Sequence, residues 1–159
     1  MIRQMMAVKH NPPATYGDCY RACIASIIEV STTDIPHPGI NGEGEWFSQI
    51  KVMDRWLAER GLWTFGLKIF SKDLAMYQEH AVGYYILGGQ SPRGCGHFVV
   101  ARSDKIVHDP HPEGGGLVAD PDDTWNMQWV LYGAHRPTLK QKEIQNEEVS
   151  EDSACHRRG

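Results

Sequence analysis

Two apolar runs, His97-Phe98-Val99-Val100-Ala101 and Lys105-Ile106-Val107-His108-Asp109, are separated by only Arg102-Ser103-Asp104. So short a connection turns the chain straight back, and the two runs form an antiparallel hairpin. With the turn centred on Ser103, Ala101 faces Lys105, Val99 faces Val107 and His97 faces Asp109. Side chains two apart share a face of a strand, and directly opposed residues have Cβ atoms about 4.5–5.5 Å apart. The Asp109 carboxylate is then expected to accept an imidazole N–H from His97, fixing the tautomer and stabilising an imidazolium. A slip of one residue sends the two side chains to opposite faces. The register is therefore a sharp expectation.

Upstream of the hairpin the pattern is helical. Cys23, Ile24, Ile27 and Ile28 recur at three- and four-residue spacings behind Asp18, which stands where a helix N-cap is expected. Trp46, Phe47, Ile50, Met53, Trp56 and Leu57 repeat in the same way, with Gly61 as a C-terminal cap. Residues 63–70 read as a strand, 71–77 as a short capped helix, 82–87 as a buried strand, 88–96 as a loop and 125–132 as a last strand. Before the first helix, residues 4–16 form an extended arm interrupted at Asn11-Pro12-Pro13. Helix, helix, then mostly antiparallel strands is an α+β order, without the regular alternation of a dinucleotide fold. The glycine strings Gly88-Gly89 and Gly114-Gly115-Gly116 lack the spacing of a phosphate loop.

Length and charge narrow the function classes. A chain of 159 residues is expected to form one domain over residues 1–137, followed by a charged, disordered tail at 138–159. A net charge of −4 argues against nucleic acid as the main partner. No apolar stretch approaches the roughly 20 residues that cross a bilayer, so no membrane partner is expected. Four cysteines without a secretory segment suggest a reducing, cytoplasmic setting rather than a disulfide scaffold. Cys19, Cys23, Cys95 and His97 lack the paired short spacings of a zinc site, and neither metal nor cofactor is expected.

Cys19 is the candidate nucleophile. At the first position of the helix it meets unpaired N–H groups and the positive end of the helix dipole, which lower a thiol's pKa. Cys23 lies one turn further on and continues the apolar stripe. Cysteine, histidine and aspartate in that order suggest a nucleophile, its base and an orienting group.

Gly17-Asp18-Cys19-Tyr20-Arg21-Ala22-Cys23, Gly96-His97-Phe98-Val99-Val100 and His108-Asp109-Pro110 together resemble small papain-like cysteine peptidases. The nearest group is C39-peptidase-like, which includes small phage and bacterial proteins, and the resemblance runs over residues 4–132. It implies a papain-like fold, with a nucleophile helix and a second helix packed on an antiparallel sheet. It implies Cys19 as nucleophile, His97 as general base and acid, and Asp109 as the orienting residue. It also implies a glutamine a few residues before the cysteine to help hold the oxyanion. Here Thr15 and Tyr16 occupy the near positions, leaving Gln4 or Asn11 for that role if the arm folds back, with the Cys19 N–H as a second donor. The expected reaction is cleavage of a peptide, protein or amide substrate through a thioester. Two alternatives are an acyl transferase with the same triad and a non-catalytic, phage-encoded binding or inhibitory module. Residues 39–45 and 91–95 are candidate rims of a cleft, with Trp46 and Trp125 as core or wall.

Overall fold

The computed structural model of the chain describes residues 1–11, 14–37 and 46–133, for 46–49 the backbone alone. The expected loop at 39–45, the Trp46 side chain and the expected tail at 138–159 lie outside the described residues. The described chain is mixed α/β, with three α-helices and one antiparallel five-stranded sheet.

Helix α1 (Cys19–Ile28) is followed by a 3₁₀ turn (Thr32–Asp34) and α2 (Trp46–Ala58). Every residue of α1 from Cys19 to Ser26 is buried, and Met53 and Leu57 of α2 meet it in one core. The apolar periodicity thus located both helices. Gly61, with φ +68°, turns the chain into β1 (Leu62–Phe70), a left-handed conformation that glycine adopts without steric cost. Helix α3 (Ser71–His80) then leads to β2 (Tyr84–Gln90), β3 (Gly96–Arg102), β4 (Lys105–His108) and β5 (Thr124–Tyr132). The α3 N-cap is Phe70, whose side chain makes no capping hydrogen bond, and the helix is closed at its other end by the Ala81 N–H donating to the Gln78 carbonyl.

The strand order is β1-β5-β2-β3-β4. The last strand in sequence is therefore internal, pairing along all of β1 on one side and with β2 on the other. Period-two alternation divides the apolar residues between two faces. Ile86 and Val100 turn toward α1 and α2, while Tyr85, Leu87, Val99, Ala101 and Met127 turn toward Leu74 of α3. Each fully buried aliphatic side chain contributes about 1.5–3 kcal/mol.

Strand β2 begins later and runs further than its sequence suggests, taking in Gly88 and Gly89, which read as loop. Close packing requires both glycines. A Cβ at Gly88 would stand 2.4 Å from Cε1 of Phe98, and one at Gly89 would stand 2.5 Å from the carbonyl oxygen of Val118. Gly89 is the ladder partner of His97, so the tight packing sits beside the candidate site.

Candidate active site

His97 stands second in β3 and is 3% exposed. Its Nε2 lies 2.8 Å from Oδ1 of Asp109. The carboxylate is held by two further donors: the His111 amide at 2.9 Å on Oδ1 and the Gly116 amide at 3.1 Å on Oδ2. Burial alone would raise the Asp109 pKa, but the His111 amide, His97 and the Gly116 amide outweigh it and hold it below the usual carboxylate value. Burial pushes the His97 pKa down despite Asp109, with Arg93 and His111 adding to the depression. Near neutrality the pair is thus an ionised carboxylate and a neutral imidazole. With Nε2–H donating to Asp109, the lone pair is on Nδ1, and Nδ1 is the basic nitrogen.

The ladder does not pair these residues as the hairpin reading expected. The turn is the two residues Ser103-Asp104, so Arg102 faces Lys105 and Ala101 faces Ile106. Continued unbroken, that register would put Asp109 opposite Phe98 and on the wrong face for His97. Val107 is an extra residue on β4, however, and beyond it Val100 faces His108. This bulge restores the parity. The ladder ends at that pair, and Asp109, the next residue, follows on the face of His97, whose ring meets that of His111 edge-on at 6.1 Å and 89°. The expected hydrogen bond forms, by a different register from the one expected.

Cys19 is the first residue of α1 and is 9% exposed. Its thiol takes hydrogen bonding from the backbone of Phe98, the residue after His97, and from the backbone of Tyr20 and Cys19 itself. These donors favour the thiolate, as expected at a helix start. Burial outweighs them and, with the nearby Asp18 charge, pushes the thiol up to about 11. The expectation of a lowered pKa is therefore corrected: desolvation exceeds the helix-terminus effect at this depth. Among the described residues no hydrogen bond joins the sulfur to His97. Cys19 reaches the β3 backbone from the α1 side, whereas His97 shares the alternation of Val99 and Ala101 toward the other core.

Gln4 does not reach Cys19. Its backbone N–H donates to Oγ of Ser26, and its side-chain oxygen accepts from the Thr32 amide. Ser26 lies seven residues along α1, about 10 Å of axial rise from Cys19. The arm does fold back, but along the helix toward its C-terminal end, because His108 Nε2 meets the Gln4 carbonyl at 2.6 Å and the Met6 amide donates to that of Pro110. Asn11 is exposed and exchanges backbone hydrogen bonds with Thr15. The expected oxyanion role of Gln4 is corrected on this geometry, and the donors at the sulfur are the backbone groups of Phe98, Tyr20 and Cys19.

Cys23 is fully buried in the α1 core, and burial pushes its thiol well above the ordinary value. Cys95 approaches Ser91, Sγ to Oγ 3.3 Å, in the β2–β3 loop expected as a rim. Trp125 packs in the α3-side core and donates from Nε1 to Ser71, so it is core rather than cleft wall. A groove of about 520 Å³ runs past Asp109 and His111, flanked by Arg3 and Met5 of the arm and by Ile106 and His108.

Sequence reasoning missed His111 and Gly116, whose amides hold the carboxylate. The triple glycine 114–116, all with positive φ, was the available signal, since backbone that glycine adopts without steric cost marks a tight turn, and this one brings the Gly116 N–H to Asp109. It also missed Arg21, which pairs with Asp18 beside the thiol. Among the described residues no cluster of three or more histidine, cysteine and acidic side chains is arranged to hold a metal ion, and no helix is long and apolar enough to cross a membrane. Comparison with known proteins finds no family model, no curated protein and no solved structure that matches this chain.

Proposed function

We propose that the chain is a cysteine hydrolase of papain-like type, acting on a peptide, protein or other amide through Cys19, His97 and Asp109. The observation that carries this reading is the 2.8 Å bond from His97 to Asp109, at the end of the strand whose next backbone amide meets the Cys19 sulfur. With a substrate carbonyl seated at the start of α1, the step requires the His97 ring to swing around the start of β3 from the face it shares with Val99, so that Nδ1 takes the thiol proton as the sulfur attacks carbon. The oxyanion faces the Cys19 N–H, and Asp109 stabilises the imidazolium. His97 then protonates the leaving amine as the C–N bond breaks, leaving a thioester. Water, deprotonated by the same imidazole, releases the acid and restores the thiol.

Because the resting thiol is buried and protonated, attack and proton transfer are concerted, without a standing thiolate–imidazolium pair. The same burial favours a second reading, a non-catalytic binding module on this scaffold. The test is intact-mass detection of a covalent adduct with peptidyl and amide electrophiles, alongside turnover of a peptide and amide panel. The hydrolase reading expects an adduct at Cys19 and loss of adduct and turnover in Cys19→Ala. Labelling retained at Cys23 or Cys95 in that variant, or no turnover and no thioester trapped by hydroxylamine, overturns it. A biological effect that survives Cys19→Ser would then support the binding module.

A further inference from the structure

We propose that Arg21 is a positioning residue for the Cys19 thiol: it draws the Asp18 carboxylate away from the start of α1 and leaves the first N–H groups of the helix to the sulfur and to an oxyanion. The inference rests on the reading of Cys19 as nucleophile, but it is tested on the thiol itself, whether or not the chain hydrolyses anything.

An aspartate at an N-cap ordinarily accepts from the second or third amide of its helix, here Tyr20 or Arg21. Asp18 occupies the N-cap and makes no such bond. Its Oδ2 accepts from Nε and Nη2 of Arg21 and from the Ala7 amide, and its Oδ1 accepts from the Val8 amide at 3.0 Å. The remaining arm of the guanidinium donates from Nη1 to the Ile35 carbonyl at 3.0 Å. Both residues are nearly sealed from water, 4% and 6% exposed. The planar fork of arginine is what permits a two-pronged grip on one carboxylate together with a third bond elsewhere. Without that grip, the Ala7 and Val8 amides are the only donors left of those that now hold the carboxylate, its charge stands unbalanced beside the sulfur, and Oδ2 is free to turn to the helix N–H groups and compete for them. The titratable groups around the thiol are Asp18, Tyr20 and Cys23 on its own segment, His97 beside Phe98, Asp109, which acts on Cys23, and His37, which feels Arg21 and Asp18.

The experiment is the pH profile of Cys19 alkylation by iodoacetamide, read by peptide mass spectrometry on the full-length chain, with circular dichroism confirming the fold. Arg21→Met is expected to raise the alkylation midpoint by roughly one pH unit, about a tenfold lower rate below the midpoint. Asp18→Ala added to Arg21→Met is expected to return the midpoint to the wild-type value or lower. A purely structural role lowers the melting temperature of Arg21→Met and leaves the midpoint in place, and that result overturns the proposal. Should Arg21→Met not fold, Arg21→Lys, which keeps the charge but not the fork, takes its place: a raised midpoint supports the proposal and an unmoved one overturns it.

Discussion

His97 and Asp109 are joined at 2.8 Å although the ladder does not oppose them; they meet because Val107 bulges out of β4 and shifts the strand by one residue. Without that residue the two-residue turn would send the carboxylate to the face of Phe98. The bulge thus converts a tight hairpin into a histidine–carboxylate pair. Bulges beside functional sites serve this purpose, re-aiming one side chain while the rest of the strand stays paired.

Asp109→Asn keeps the shape and the two backbone donors but removes the charge that holds His97 with its proton on Nε2. Turnover is expected to fall by a factor on the order of 10²–10⁴, with the melting temperature changed little. Steady-state kinetics on any substrate found in the panel checks this. Unchanged turnover would mean that the pair only braces the hairpin.

The turn that starts this register is pinned from behind. The Tyr85 hydroxyl donates to the Ser103 carbonyl at 2.5 Å and accepts from Gln78 at 3.2 Å, and Ser103 itself has φ 53°. Tyr85→Phe leaves a carbonyl and an amide to find water at the edge of the core, a cost of about 1–2 kcal/mol. Urea unfolding of the variant measures it. Hydrogen exchange should rise first at the β3–β4 turn, and uniform loosening of the whole sheet would contradict the local role given to this hydroxyl.

The helices and the hairpin that carries His97 and Asp109 were legible because periodicity and chain order are local properties. Ile24 and Leu57 announce their burial by spacing, and a three-residue gap announces a hairpin. The bulge at Val107 was not legible, since nothing in Lys105-Ile106-Val107-His108 marks which residue goes unpaired; the choice depends on the arm and on the 109–116 turn closing over the strand end. Gly88 and Gly89 misled for a related reason. Their composition reads as loop, but their role is set by Phe98 and the Val118 carbonyl, brought there by tertiary packing. The position of β5 between β1 and β2 is likewise a matter of topology that strand propensity does not express.

Those glycines yield a graded pair of substitutions. At Gly89 the added methyl meets backbone, the Val118 oxygen at 2.5 Å, which moves only if the 117–118 segment moves. At Gly88 it meets the Phe98 ring, a side chain that can turn. Gly89→Ala is therefore expected to cost about 1–3 kcal/mol and to weaken the hydrogen bonds of Gln90 with Val118, while Gly88→Ala costs less. Thermal melts of the two variants order them, and a larger loss at Gly88 would contradict the argument.

The neutral resting site also fixes how stability responds to pH. Cys19 has its folded pKa pushed up to about 11 from 9.0, so its contribution is complete below pH 9 and is lost as pH rises through the folded value. A change of two pH units corresponds to a loss on the order of 2–3 kcal/mol. His97 has a folded pKa below 6.5. As pH falls beneath 6.5 the unfolded chain takes up a proton that the folded imidazole refuses, and stability falls. Asp109 has a folded pKa below 3.8, so its contribution is present above that value and disappears as pH falls through the folded pKa. Denaturant midpoints measured from pH 3 to pH 11 should therefore show a plateau between about 6.5 and 9, and in Cys19→Ala the alkaline decline should be shallower by the thiol's share. Alkylation of Cys19 should be slow at neutral pH and accelerate well above pH 9. A rate that is flat from pH 5 to pH 9 would instead reveal a standing thiolate–imidazolium pair and overturn the concerted proton transfer proposed for this site.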